Sequence, residues 1–310
     1  MSVIATHALS KTFPGVTALD QLTVEIGTGV TGLIGSNGAG KSTLIRLLLG
    51  LMPATAGAAQ VLGLDVATDG ARIREQVGYM PEHDCLPPDV SATEFVVHMA
   101  RMSGLPAAQA RERTADTLRH TGLYEERYRP IGGYSTGMRQ RVKLAQALVH
   151  DPNLVMLDEP TNGLDPAGRD EMLALVRRIG QEFGIPVLVT SHLLGELERI
   201  SDHVVIIDGG RLLRSSATAD FTRATGVLVV EVHEPLGGGG RDRLGHALAA
   251  AGARVRPAGR TLELQIAGEA TFDLVRDAAA DLGLGLVRVQ QQRHHIDEVF
   301  RDEGGEHVAS

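Results

Sequence analysis

Gly35-Ser36-Asn37-Gly38-Ala39-Gly40-Lys41-Ser42 fits G-x-x-x-x-G-K-[ST], a loop that wraps phosphate oxygens with backbone N–H groups. The apolar run from Val30 to Ile34 predicts a short strand feeding it, and Ser42 to Leu49 predicts a helix leaving it. Strand, loop and helix are the context this chemistry requires. The glycines let the backbone curl around oxygens without a Cβ in the way. The start of the next helix adds free N–H donors and a partial positive charge. Lys41 has the reach for β- and γ-phosphates, and the Ser42 hydroxyl suits a Mg²⁺ ion.

The composition narrows the partners. A chain of 310 residues with 43% apolar content predicts one large α/β domain and a smaller appendage. A net charge of −8, 3% aromatics and no tryptophan speak against nucleic acid, which calls for a basic face and rings for stacking. A lone cysteine, Cys85, fits a reducing compartment and reads as a small, partly buried residue. The start Met1 to His7 lacks the basic and apolar segments of a secretion signal. Leu47 to Leu64 is broken by Gly50, Pro53, Gly57 and Gly63, so it does not read as a membrane span. If the protein works at a membrane, another chain crosses it.

Further acids and a histidine fall at predicted strand ends. Residues 2–34 alternate short apolar runs with turns, a small β layer, and Phe13 sits on one of its turns, either as core or as a platform for adenine. Gly57 to Asp65 alternates like a hairpin, and Gln76 to Glu82 is a short strand stopped by Pro81. Ligands gather at the carboxyl ends of parallel strands, so Glu82 is a candidate metal or water ligand, against the reading of a merely solvated acid. Residues 91–150 read as helical, with a capping box at Ser91 to Glu94 and a last helix near Ser135 to Leu148. Gly132 to Gly137 is a second glycine-bearing helix start, able to hold an anion or simply capped by Ser135.

Leu154 to Leu157 is an unbroken apolar run ending in Asp158-Glu159. Such a run suits a central parallel strand, and charge at the end of a buried strand is costly without a function. One acid then fits each of two roles: Asp158 orders Mg²⁺ or its waters, and Glu159 orients and deprotonates an attacking water. Thr161 to Pro166 is a turn, Ala167 to Phe183 a helix, and Ile185 to His192 another apolar run that ends in a histidine. His192 is structural, or it contacts the γ-phosphate from the same row as Glu159. Asp202 to Asp208 is the last strand, turning through Gly209-Gly210.

In this order the motifs resemble the ATP-binding subunit of an ATP-binding cassette (ABC) transporter over residues 2–218. The resemblance implies a P-loop NTPase cassette: a parallel-sheet core, an antiparallel β subdomain and a helical subdomain at about 86–150. Gly35 to Thr43 then correspond to the Walker A motif and Leu154 to Glu159 to Walker B. Phe13 falls at the adenine-stacking aromatic, Asn162 to Asp165 at the D-loop and His192 at the switch histidine. Tyr134-Ser135-Thr136-Gly137-Met138 stands where the family signature is commonly Leu-Ser-Gly-Gly-Gln. The resemblance further implies an ATPase with ATP and Mg²⁺ as cofactors, the nucleotide touched by Phe13, Gly35 to Thr43, Ser135, Gly137 and Asp165. The metal is expected on Ser42, Glu82 and Asp158. Two cassettes are expected to pack head to tail, the signature loop of one closing on the γ-phosphate held by the Walker A loop of the other, beneath a separately encoded integral membrane subunit at the inner face of the cell membrane. Two departures stand out. Glu82 replaces the family's usual glutamine, and Thr136 and Met138 replace a glycine and a glutamine of the signature.

Residues 219–310 have a different texture and read β, α, β, β, α, β, the order of a small ferredoxin-like α+β fold. The helix Thr271 to Leu282 is expected to bury Phe272, Val275, Ala279 and Leu282. His294-His295 with Asp297-Glu298 is a weak metal pattern, and the ending His295 to Phe300 is similar to the close of many exporter-type cassettes. The tail reads as a regulatory or dimer-stabilising appendage. The expected activity is ATP hydrolysis driving export of an unknown substrate; the competing expectation is a soluble ATPase of the same family, acting on ribosomes or DNA.

Overall fold

The structure is a computed structural model that describes residues 2–221, 224–233, 238–266, 268 and 270–293. The chain divides into two compact units between Thr218 and Ala219.

Two sheets and a set of helices build the first unit. Its six-stranded sheet runs in the order Arg211–Ala217, His203–Asp208, Val30–Ile34, Val187–Ser191, Leu154–Leu157, Val77–Met80, with only the first of these antiparallel to its neighbour. Three of these strands, Val30–Ile34, Leu154–Leu157 and Val187–Ser191, are buried at every position, as a parallel sheet covered on both faces requires. A four-stranded antiparallel sheet has the order Val16–Ile26, Ile4–Phe13, Ala56–Val61, Leu64–Asp65. The helix Lys41–Leu48 ties the two together. Its Leu44, Ile45, Leu47 and Leu48 share one core with Leu9, Leu19 and Leu22 of the antiparallel sheet and with Met156, Leu188 and Val205 of the parallel one. The phosphate loop is thereby fixed to the centre of the unit.

A second core belongs to the helices Ala92–Met102, Ala107–His120 and Thr136–Leu148, where Val96, Ala110, Leu118, Ile131 and Val142 meet. The capping box is present: Ser91 Oγ accepts from Glu94 N–H, and the Glu94 carboxylate accepts from Ser91 N–H. Phe13 differs from its expected turn position. It ends the long strand Ile4–Phe13, whose hairpin with Val16–Ile26 extends up to a tight turn at Pro14-Gly15. Cys85 also differs, being exposed, although the next residue, Leu86, packs against the helical core.

The second unit is a four-stranded antiparallel sheet in the order Val255–Ala258, Thr261–Gln265, Ala224–Val232, Leu286–Arg293, with helices Gly240–Ala250 and Ala270–Asp281. A strand inserted between the two strands of a βαβ unit is the ferredoxin-like arrangement. Leu228, Val230, Leu244, Leu248, Leu262, Leu264, Val275 and Ala279 form its core. Phe272 does not join them. It is 40% exposed, because the buried stripe of its helix passes through Thr271, Val275 and Ala279, leaving position 272 at the rim. The residues from His294 onward, with the metal pattern and exporter-like ending read there, lie outside the described residues.

Candidate functional site

The loop between Ile34 and Lys41 ends in Gly40, whose φ of 103° lies in the left-handed region and which caps the helix without a side-chain bond. A Cβ there would come within 2.5 Å of the Ala18 carbonyl oxygen and 2.7 Å of Leu19 Cδ2, so conformation and space both demand glycine. The first turn of the helix therefore presents N–H groups that have no partner inside it. Together with Ala18 of the antiparallel sheet, Ser36, Asn37, Gly38, Gly40, Lys41, Ser42 and Thr43 line a cavity of about 550 Å³, whose far wall is Glu82, Glu159, Asn162 and His192. Gly35 and Ala39 lie behind the loop. A Cβ on Gly35 would stand 2.5 Å from the Ile207 carbonyl oxygen and 2.8 Å from Ala39 Cβ, so these two residues seat the loop on the sheet.

Lys41, Glu159 and His192 meet in that cavity. Lys41 Nζ donates to the carbonyls of Gly35 at 2.7 Å and Ser36 at 3.3 Å, and lies 3.3 Å from Glu159 Oε1. The other carboxylate oxygen, Glu159 Oε2, is 2.9 Å from His192 Nδ1. Both Lys41 and Glu159 are buried, while His192 is exposed on the open side. Glu159 holds its aim with a backbone φ of 50°, a conformation that residues with a Cβ adopt at a cost. One hydroxyl supports it: Thr190 Oγ1 accepts from Glu159 N–H at 2.8 Å and donates to Asp158 Oδ1 at 2.9 Å.

The other expected contacts fall in several places. Glu82 lines the cavity, its Oε1 accepting from Asn162 Nδ2 at 3.2 Å. Asp158 does not line it. It is 2% exposed and its carboxylate accepts from the Thr190 hydroxyl, just past the end of the strand Leu154–Leu157. Phe13, 39% exposed with Lys11 Nζ 5.2 Å from its ring centre, is also outside the cavity lining. Ser135, Gly137 and Asp165 meet in a different cavity of about 620 Å³, shared with Gly163, Arg141 and Glu171. There the Ser135 hydroxyl accepts from Met138 N–H, and the Asp165 carboxylate caps the helix Pro166–Gln181 by accepting from Gly168 N–H. None of these three lines the cavity of the phosphate loop.

Several supporting residues carry no motif of their own. Thr190 is one; a hydroxyl two positions before His192 in an apolar strand was the available signal. Lys143 is another, a charge between the buried Val142 and Leu144. Burial pushes its pKa down, opposed by the charges of Cys85, Asp84, Glu82 and Asp158. Glu196 is the third: its Oε2 accepts from the hydroxyls of Thr161 at 2.8 Å and Ser191 at 3.3 Å, bracing the turns after Glu159 and before His192. Tyr79, on the strand leading to Glu82, has its pKa pushed up to about 12 by burial and by the nearby Asp158.

Chemically, a cluster of backbone donors and an ammonium faces a buried carboxylate across one cavity, which suits water attack on a bound phosphoryl group. The oxygen donors Ser42 and Glu82, on opposite walls, are the hard ligands a Mg²⁺ ion takes.

Known proteins place this geometry in a family. Residues 19–162 match the family model described as ABC transporter. The daunorubicin/doxorubicin resistance ATP-binding protein DrrA of Streptomyces peucetius is 36% identical over 234 residues, covering 74% of this chain and 71% of that protein. Nod factor export ATP-binding protein I of Cupriavidus metallidurans is 32% identical over 309 residues, 96% of both chains. Among solved structures, cbiO1 from Clostridium perfringens, described as part of the ABC transporter complex cbiONQ, superposes with a TM-score of 0.64 at 27% identity, covering 71% of this chain and 90% of that one. The dimeric structure of the cassette MJ0796 shares the fold, with a TM-score of 0.64 at 23% identity over 69% of this chain and 98% of its own. The chain belongs to the ABC transporter family, as an ATP-binding cassette with ATPase activity.

Proposed function

We propose that this chain powers export of a substrate through a separately encoded membrane subunit, two copies closing head to tail over ATP at the inner face of the membrane. One observation carries the closure: Ser135 and Gly137 open a helix start toward a cavity of their own, away from the phosphate loop of the same chain. A second copy turned head to tail supplies the phosphates that this start is built to meet. The reading of export rests on relatives named for drug resistance and Nod factor export. No helix among the described residues is long and apolar enough to cross a membrane, in keeping with a partner that does. The second unit is read as a regulatory or dimer-stabilising appendage.

In the cavity, the phosphates of ATP compete with Gly35 O, Ser36 O and Glu159 Oε1 for the Lys41 ammonium. Once Lys41 turns to the phosphates, Glu159 Oε1 is released to accept a proton from water, while Oε2 remains held by His192 Nδ1–H. The water oxygen then bonds to the γ-phosphorus as the bond to the β–γ bridging oxygen breaks, and ADP and phosphate leave. Thr190 keeps Glu159 aimed through its backbone. Ser42 and Glu82 would hold Mg²⁺, with Asp158 ordering its waters, and the ion would offset phosphate charge. Phe13 lies on the same hairpin as Ala18 and is read as the base-stacking ring.

The test is Glu159→Gln. This variant should bind ATP, hydrolyse it at least about a hundredfold more slowly and dimerise with ATP in size-exclusion chromatography. Purified from detergent-solubilised native membranes, it should carry a stoichiometric multi-helix membrane protein. Turnover at the wild-type rate would dismiss Glu159 as the base. Recovery only from the soluble fraction, with ribosomes or alone, would favour a soluble ATPase.

A further inference from the structure

Lys143 brings a charge into the buried face of the helix Thr136–Leu148, where it is 2% exposed. A buried ammonium is tolerated only when its donors are used. All three point at one segment: Nζ donates to Pro81 O at 2.8 Å, Glu82 O at 2.9 Å and His83 O at 3.4 Å. Lys143 thus grips three consecutive carbonyls of the segment that carries Glu82. One turn earlier on the same helix, Gln140 Nε2 donates to Asn162 O at 3.1 Å. Asn162 in turn donates its side-chain amide to Glu82 Oε1 at 3.2 Å. The contacts close a ring, from the helix through Lys143 to Glu82, across to Asn162, and back through Gln140.

We propose that Lys143 is a positioning residue for Glu82. By gathering the carbonyls of Pro81 to His83 it sets where the acid stands in the phosphate cavity, and it links that placement to the helix that starts after Ser135. Lys143 itself lines no part of the cavity, so any effect it has on the chemistry passes through the segment it holds. The proposal rests on the reading of Glu82 as an oxygen ligand of nucleotide-bound Mg²⁺. An apolar side chain at position 143 would leave three carbonyls without their donor and free the segment to turn.

The test is a Mg²⁺ titration of ATPase activity in the full chain at saturating ATP, for the wild type, Lys143→Met, Glu82→Ala and the double variant. Nucleotide binding and thermal unfolding check that each variant is folded. Lys143→Met and Glu82→Ala should each raise the half-activating Mg²⁺ concentration about tenfold, the usual scale for a residue that orients a metal ligand. The double variant should shift no further than Glu82→Ala alone. Losses that multiply to about a hundredfold in the double variant would mean that Lys143 acts independently of Glu82, and the proposal is then wrong. Unchanged Mg²⁺ dependence in Lys143→Met overturns it too. Unchanged dependence in Glu82→Ala rejects the metal reading of Glu82, and a shift in Lys143→Met beside it rejects positioning through that acid as well. Should Lys143→Met not fold, Lys143→Gln, which retains a shorter donor, carries the same comparison with a smaller expected shift in the same direction.

Discussion

Replacing Thr190 by valine isolates the support of the two strand-end acids. Thr190 is fully buried, and its hydroxyl makes two contacts: it donates to Asp158 Oδ1 at 2.9 Å and accepts from Glu159 N–H at 2.8 Å. Valine keeps the volume, so no cavity forms, but a buried carboxylate oxygen and a buried N–H lose their partner. Each orphaned group costs about 1–3 kcal/mol, with the carboxylate near the upper end, so the variant should lose about 3–4 kcal/mol of local stability. The catalytic consequence is separate. Glu159 is held at a φ of 50°, and the left-handed region costs a residue with a Cβ roughly 1–2 kcal/mol. Without the tether on its N–H, the turn relaxes and the carboxylate drifts from Lys41 and His192. Turnover should fall while ATP affinity stays within about threefold, since Lys41 and the loop are untouched. The two units can melt separately, so stability is best read by hydrogen exchange at the amides of Leu154–Leu157 and Val187–Ser191. Thr190→Ser, which keeps the hydroxyl and drops a methyl, is the control. If serine is as damaging as valine, or valine costs less than about 0.5 kcal/mol, ordinary packing and not the hydroxyl holds the acids.

Lys41→Ala removes the ammonium that Gly35 O, Ser36 O and Glu159 Oε1 now share and that phosphates would take over. ATP affinity measured by calorimetry should drop about tenfold to a hundredfold, the worth of a charge-assisted hydrogen bond; an unchanged affinity removes the phosphate-loop assignment. Tyr79, whose pKa is pushed from 10.0 up to about 12 chiefly by burial, should ionise last in an alkaline titration followed by tyrosinate absorbance. Its folded pKa lies above the unfolded one, so its contribution to stability is whole below pH 10.0 and is lost as the pH climbs to about 12. A late phase that persists in Tyr79→Phe would contradict this.

Particular residues mark where the sequence could and could not be read. The phosphate loop was legible because its glycines, lysine and serine act through local backbone, and Gly40 is held to glycine by its own φ as well as by Ala18. Glu159 and His192 could be aligned because each ends an apolar run, and parallel strands deliver their ends to one edge. The ferredoxin-like order of the second unit was visible in its periodicity. Phe272 was misplaced because a face is set by what packs on it: one residue around the helix, Thr271, not Phe272, faces inward. Asp158 was read as an acid that orders Mg²⁺ or its waters; its bond to the Thr190 hydroxyl depends on a neighbouring strand and could not be read locally.

Local features are what the sequence by itself determined: the glycine-rich loop between strand and helix, the acids and the histidine at strand ends, the capped helices and the break in texture near residue 218. Each depends on neighbours within a turn or a strand, so its physics is contained in a few consecutive residues. Only the tertiary structure decided which of those features share a cavity. It joined Lys41, Glu159 and His192, sent Ser135, Gly137 and Asp165 to a second cavity, and brought Lys143 and Gln140 from the helix Thr136–Leu148 beneath Glu82 and Asn162. Such juxtapositions arise from helices and sheets sharing buried cores over long separations in sequence, which no local spacing encodes.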